Sequence, residues 1–356
     1  MPTSKNLSLI LLLFLGLNVY SQNVTINGYI SDKLSGERLI GANVYNESSL
    51  KGTTTNNYGF YSLTVPNGDI KLSCSYIGYE KQQIEVALYG DKTINFELKP
   101  VSDEIDEITI KGNNYNKVEQ LQMSLITLPV QKIDKIPVIM GESDIMKVVQ
   151  LMPGIQSGAE GTSGIHVRGG GSDQNLFLID GVPIYNANHL FGFFSTFNPS
   201  AIKSTNVYTG GFPARYGGRL SSVVDIRMNE GNLKKLTGDF TIGLISSKIT
   251  LEGPIVKDKT AFMFSARRTY ADLLAKPVLA FMNKNNSTQT SFTAYFYDIN
   301  AKISHLFSDR SRLYWSLYNG RDKFTMRQTY DNETATKKAT LINEDEIGIG
   351  WSNLVS

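Results

Sequence analysis

The sequence predicts a mainly β protein in three parts: an N-terminal β-sandwich, a small α/β domain, and the first strands of a transmembrane β-barrel. Three observations predict it. Short alternating strands punctuated by Gly, Asn and Asp run from Val24 to Leu98. A helix-period stretch followed by Gly-rich turns and a hairpin signal occupies the middle of the chain. After Asn232 the strands lengthen and alternate apolar with polar residues, as a sheet between lipid and a polar interior does.

Composition fits this reading. The chain has 31 Gly, 18 Tyr and 17 Phe, which suits many turns and many strands. A formal net charge of +2 supplies neither a nucleic-acid footprint nor a polybasic membrane patch. The single cysteine, Cys74, has no partner for an internal disulfide or a thiolate metal site, and reads as a small core residue.

The N-terminus comes first in order. Lys5 precedes an apolar run from Leu7 to Leu17, and Val19-Tyr20-Ser21 offers tolerated residues before a cut. The run is shorter than the roughly 20 residues of a spanning helix. Residues 1–21 therefore read as a secretory signal peptide. Gln22 follows the proposed cut, where a lipoprotein anchor would need cysteine. No later stretch approaches a spanning helix, so any membrane span is expected to be a barrel.

Residues 22–99 are expected to form the sandwich. Val24-Ile26-Gly28-Ile30 alternates, Asp32 to Gly36 turns, and Leu39 to Val44 is a second strand. Phe60-Ser62-Thr64, Ile70-Leu72-Cys74 and Ile94-Phe96-Leu98 continue the pattern. Gly28, Asp32, Gly36-Glu37, Gly41-Ala42-Asn43-Val44, Gly59-Phe60-Tyr61 and Tyr76-Ile77-Gly78-Tyr79 resemble the carboxypeptidase-regulatory-like domain. No hydrolase follows from that resemblance, because the segment contains no histidine to hold zinc. An accessory docking role and a plain spacer both stay open.

Residues 100–118 read as a linker holding a lone strand. Asp103, Glu104, Asp106 and Glu107 interleave with Ile105, Ile108 and Ile110. The acids keep the strand soluble, and the alternating isoleucines suit it for addition to another sheet edge. Glu107, Ile108, Thr109 and Ile110 resemble a TonB box, which implies the TonB energy-transducing protein as partner. A charged interdomain linker is the alternative.

Residues 119–232 carry the densest signal. Ser143 is expected to cap a helix whose buried face is Ile145, Val148, Val149 and Met152, and Pro153-Gly154 stops it. Ile165-His166-Val167 and Leu176 to Ile179 are strands, the second turned by Asp180-Gly181 into Val182-Pro183-Ile184. Val207-Tyr208 and Val223 to Ile226 are further strands. Gly169 to Gly171 fits no phosphate-binding spacing. The runs Leu151-Met152-Pro153-Gly154-Ile155, Ile165-His166-Val167-Arg168-Gly169-Gly170, Leu178-Ile179-Asp180-Gly181-Val182-Pro183 and Phe212-Pro213-Ala214-Arg215-Tyr216-Gly217-Gly218 are similar to the plug of TonB-dependent receptors. The run from Tyr185 through His189 to Ser200 looks most like receptors of the Bacteroidetes type.

That resemblance implies roles. The loops after Gly154, Arg168 and Pro183 face outward in the family, which points to Ser157, Ser163, Ser172, Asp173, Gln174, Tyr185, Asn186 and His189 as substrate-facing. Arg168 matches the plug arginine expected to pair with glutamates of the barrel wall. Where many members have Arg-Gly-Pro, this chain has Thr209-Gly210-Gly211, which leaves the second lock open unless Arg215 substitutes for it.

Residues 233–356 read as the N-terminal part of the barrel. Tyr295, Tyr297, Ile299, Ala301 and Ile303 share one face, and Asp298, Asn300 and Lys302 the other. Spanning strands of about 9–11 residues give roughly six or seven here, against about 22 for a barrel that holds a plug. The chain is thus expected to be the front of a 22-stranded-type barrel that it does not itself close. The resemblance implies TonB-dependent import across the outer membrane of a nutrient substrate, met with a surface lipoprotein partner. A truncated, non-transporting remnant and a surface adhesion or sensing protein are the alternatives. No enzyme and no cofactor are expected: the three histidines, His166, His189 and His305, lack ligand spacing, and no nucleophile elbow occurs.

Overall fold

A computed structural model describes residues 23–101, 124–129, 143–158, 164–284, 288–308, 311–330, 336–341 and 345–353. The signal-like segment, the TonB-box-like residues Glu107 to Ile110, and Ser163 lie outside the described residues. Contacts divide the chain into two units.

The first unit is a pair of sheets. One holds β1 (Asn23–Asp32) between β4 (Phe60–Pro66) and the short parallel strands β7 (Lys92–Thr93) and β8 (Phe96–Leu98). The other runs in the order β3 (Gly52–Thr54), β2 (Asn43–Asn46), β5 (Gly68–Ser75), β6 (Gln82–Leu88). Period-two alternation sends Val24, Ile26 and Ile30 inward to meet Leu63, Val65, Leu72, Cys74 and Phe96. Cys74 is buried there as a free thiol, and burial pushes its pKa up to about 12.

The expected strand from Leu39 to Val44 forms only from Asn43. Gly41 sits at φ +76°, a left-handed conformation that breaks an extended run, and Thr55 Oγ1 donates to the Leu39 carbonyl instead.

The second unit contains an inner domain and a wall. The inner domain is a five-stranded sheet in the order β13 (Val182–Pro183), β12 (Asn175–Ile179), β17 (Ser222–Met228), β16 (Ile202–Tyr208), β9 (Leu125–Pro129). Asp180 at φ +49° and Gly181 at φ +86° make the two-residue turn that pairs β12 with β13, as the Asp-Gly signal predicts. Helix α1 (Ile145–Gln150) buries Ile145, Met146, Val148 and Val149 against this sheet. Two small hairpins complete the domain: β10 (Ile155–Ser157) with β11 (Ile165–Val167), and β14 (Asn188–His189) with β15 (Phe194–Ser195).

The cap of α1 is Asp144, where the sequence had pointed to Ser143. Asp144 Oδ1 accepts from Met146 N at 2.8 Å, and Oδ2 accepts from Ser195 N at 2.7 Å. One carboxylate thus satisfies a helix terminus and the β14–β15 hairpin together. Asp144→Ala leaves both buried donors without that acceptor and is expected to cost about 2 kcal/mol, read as a lower urea midpoint.

The wall is one antiparallel sheet in the order β18 (Thr237–Ile242), β19 (Ser246–Val256), β20 (Thr260–Thr269), β21 (Thr288–Ser308), β22 (Ser311–Tyr330), β23 (Thr336–Leu341), with β24 (Asp345–Asn353) also on β22. Helix α2 (Ala271–Asn283), which the strand pattern did not announce, joins β20 to β21 and carries Pro277 inside it. The two wall faces differ in chemistry. Asp298, Asn300, Lys302, Ser304, Arg312 and Ser316 are buried, whereas Phe264, Ile303, Leu313 and Trp315 are exposed. The buried polar row faces the inner domain, and Met263 and Tyr318 of the wall enter its apolar core. Lipid outside and a seated domain inside account for both faces. Among the described residues no helix is long and apolar enough to cross a membrane.

Candidate functional site

The β14–β15 hairpin delivers the densest polar contact between inner domain and wall. β21 projects Asp298 inward, with a side chain wholly shielded from solvent. Its two oxygens divide their partners. Oδ2 accepts from Arg267 Nε at 2.9 Å and Nη2 at 2.5 Å; Oδ1 accepts from His189 Nε2 at 2.6 Å and Tyr318 OH at 3.0 Å. His189 Nδ1 lies 2.9 Å from Asp322 Oδ1 on β22. Arg267 also donates to the Ser195 carbonyl at 2.7 Å, so a cation of β20 holds the second strand of the hairpin. The His189 ring stacks on Phe296 at 4.3 Å and 8°.

Burial and charge set the behaviour of this cluster. Burial alone pulls the His189 pKa down, but Asp298, followed by Asp322, outweighs it and lifts the value to about 9. Ion pairs this deep offset a desolvation cost of several kcal/mol, so their net contribution is small while both partners stand. Removing one partner is what costs.

Further contacts follow the same polar row. Lys302 Nζ reaches Asp180 Oδ2 at 3.0 Å and the Met228 carbonyl at 3.2 Å. Arg312 pairs with Glu230 at 3.4 Å, and Ser304 Oγ donates to the Glu230 carbonyl at 2.9 Å. Asn198 Nδ2 donates to Ser265 Oγ at 2.8 Å.

Among the described residues, Arg168 and Arg215 contact the inner domain. Arg168 is exposed, takes φ +49°, and reaches Ser124 Oγ at 3.5 Å; it meets no wall strand among the described residues. Arg215 stays within the inner domain, donating to Tyr216 OH at 3.1 Å and Tyr208 OH at 3.4 Å. Tyr216 donates in turn to Asp225 Oδ2 at 2.8 Å. Burial, then the Asp225 carboxylate, pushes that phenol well above its ordinary pKa, so it remains a donor.

Four of the residues expected to face substrate do come together. Ser172, Asp173, Tyr185 and Asn186 line a groove of about 420 Å³ together with Arg219. Tyr185 is 86% exposed. Ser157 is exposed at the end of β10, and Gln174 closes the turn before β12, outside the groove lining. His189 departs from its expected place: it is buried against the wall rather than presented outward. Alternation on β21 marks Asp298 as inward-facing, but nothing local in the sequence ties it to His189.

Comparison with known proteins agrees with the geometry. Residues 26–110 match the CarboxypepD_reg-like domain, and residues 117–224 match the TonB-dependent Receptor Plug Domain. The chain is 30% identical over 234 residues to the TonB-dependent receptor SusC of Bacteroides thetaiotaomicron, covering 62% of this chain and 22% of that protein. It is 27% identical over 248 residues to a TonB-dependent receptor of Formosa agariphila, covering 65% of this chain and again 22% of that protein. The chain therefore spans about a fifth of the length of these relatives. Among solved structures it is similar to the outer membrane transporter YddB from Escherichia coli, at 13% identity and a TM-score of 0.44, covering 64% of this chain and 36% of that one. Carrying a carboxypeptidase-regulatory-like domain ahead of a TonB-dependent receptor plug, the chain is a homologue of the SusC-type TonB-dependent receptors of the outer membrane.

Proposed function

We propose that this chain is the front portion of a receptor that imports a nutrient across the outer membrane with energy delivered by TonB. The observation that supports this reading most is the polar face of β20, β21 and β22, buried under the plug while the opposite face stays apolar. A plug seated largely through ion pairs and hydrogen bonds can be moved with little apolar core uncovered beyond Met263 and Tyr318, because water can replace each polar contact as it opens. A plug welded by apolar packing alone could not be displaced so cheaply.

The remaining parts fit that cycle. A signal peptide over residues 1–21 would deliver the chain to the envelope. Glu107 to Ile110 would add as a strand to the sheet edge of TonB. The groove of Ser172, Asp173, Tyr185 and Asn186 offers hydroxyl, carboxylate and amide groups to a polar substrate, which a surface lipoprotein would help to retain. Nothing in this cycle calls for bond chemistry.

Crosslinking in cells tests the reading. A photoreactive residue at Ile108 is expected to form an adduct with TonB, and deletion of Asp106 to Ile110 is expected to abolish uptake. An adhesion or sensing protein would form no TonB adduct and would keep its surface binding after the deletion.

A further inference from the structure

Both ring nitrogens of His189 face carboxylate oxygens, Nε2 toward Asp298 at 2.6 Å and Nδ1 toward Asp322 at 2.9 Å. An ionised carboxylate only accepts, and a neutral imidazole donates through one nitrogen alone. The two contacts are both hydrogen bonds only when the ring carries its second proton. Charge counting gives the same answer. Arg267 and a protonated His189 balance Asp298 and Asp322, whereas a neutral ring leaves one net negative charge on a cluster in which all but Asp322 are shielded from water. The two cations divide the hairpin between them. His189 belongs to β14, and Arg267 holds the carbonyl of Ser195 on β15.

We propose that protonated His189 is the latch fastening the β14–β15 hairpin of the plug to the wall, and that loss of this one proton releases the hairpin. The latch therefore makes plug seating proton-linked. Its bearing on transport rests on the function proposed above; the latch itself does not.

The titratable and charged groups around the ring are Asp298 on β21, Asp322 and Tyr318 on β22, Arg267 on β20, and Asp144 of the plug acting through Ser195. The two aspartates raise the folded-state pKa to about 9 from an ordinary 6.5. A raised histidine pKa stabilises the seated form fully below pH 6.5, and that contribution is lost as pH rises through about 9.

The test is hydrogen exchange of residues 188–195 in the native protein, held in outer-membrane fragments and corrected for intrinsic exchange at each pH. Protection is expected to be full at about pH 6, to decline steadily as pH rises above 6.5, and to level off above about pH 9 after a loss of about a hundredfold or more. Asp322→Asn removes one charge facing the ring and is expected to lower the midpoint by about one pH unit. His189→Gln is expected to give weak protection with no pH dependence. Protection that stays flat to pH 10, or a midpoint that Asp322→Asn does not move, would overturn the latch. Neither TonB nor a substrate enters the measurement, so a failure of the import reading and a failure of the latch are told apart.

Discussion

Asp298→Ala is expected to unseat the β14–β15 hairpin and to weaken the plug–wall contact by about 3–5 kcal/mol. The size follows from what is left behind. Arg267, 1% exposed, loses the carboxylate oxygen on which two of its nitrogens converge, and His189, 4% exposed, loses its nearer partner. Two buried cations would then face each other across a site that lacks one of its two anions. His189 sheds its proton in response and keeps only an Nδ1–H donor toward Asp322, without the charge that held it there. The loss should appear as faster proteolysis between Asn186 and Asn198 in membrane-embedded protein, and as a lower urea midpoint for plug release. Asp298→Asn should fall between the alanine variant and wild type, since it keeps a hydrogen-bonding side chain of the same shape but no charge. Equal protease resistance in all three proteins would show that the cluster holds nothing.

Gly28→Ala is expected to destabilise the first unit by about 3 kcal/mol or more, through space rather than backbone conformation. A Cβ at position 28 would fall within the van der Waals radius of the Ile94 carbonyl oxygen and lie 2.6 Å from its carbon. Neither side can yield. β1 is paired with β4 on one edge and with β7 and β8 on the other, and Ile94 N donates to the Asn27 carbonyl at 2.8 Å. Cys74 supplies the readout. Buried, with its thiol pushed up to about 12, it should resist alkylation in the folded unit and react once the unit opens. Labelling at 25 °C should be fast in Gly28→Ala and slow in wild type; a thermal midpoint lowered by roughly 10 °C or more should accompany it.

How much of this was legible in the sequence depended on the range of the interaction. Alternation is local, so the strands of β1, β4 and β21 could be read directly, and with them the inward set Asp298, Asn300 and Lys302. The Asp180-Gly181 turn was legible for the same reason. The helix cap was harder. Ser143 and Asp144 are neighbours with similar capping preference, and Ser195, 51 residues away, engages the second oxygen of Asp144.

The latch lay beyond reach. His189 meets Asp298 across 109 residues and Asp322 across 133, and no periodicity spans such distances. Arg168 is a different case. Its expected role came from resemblance, while its left-handed backbone and the Gly169 that follows direct it toward Ser124, away from the described wall. Helix α2 escaped because Pro277 inside a helix argues against one, and tertiary context overrode that preference.

The latch and the proposed import both require the plug to sit on the inward face of β20, β21 and β22. A pair of cysteines tests it most directly. Asn198 and Ser265 touch at 2.8 Å across the interface, whereas Phe264, one residue along β20, points to the exposed face. Mild oxidation of intact outer membranes is predicted to crosslink Asn198→Cys to Ser265→Cys, leaving Asn198→Cys with Phe264→Cys unlinked. Crosslinking of the Phe264 pair, or of neither, would contradict the seating on which the latch and the proposed import both depend.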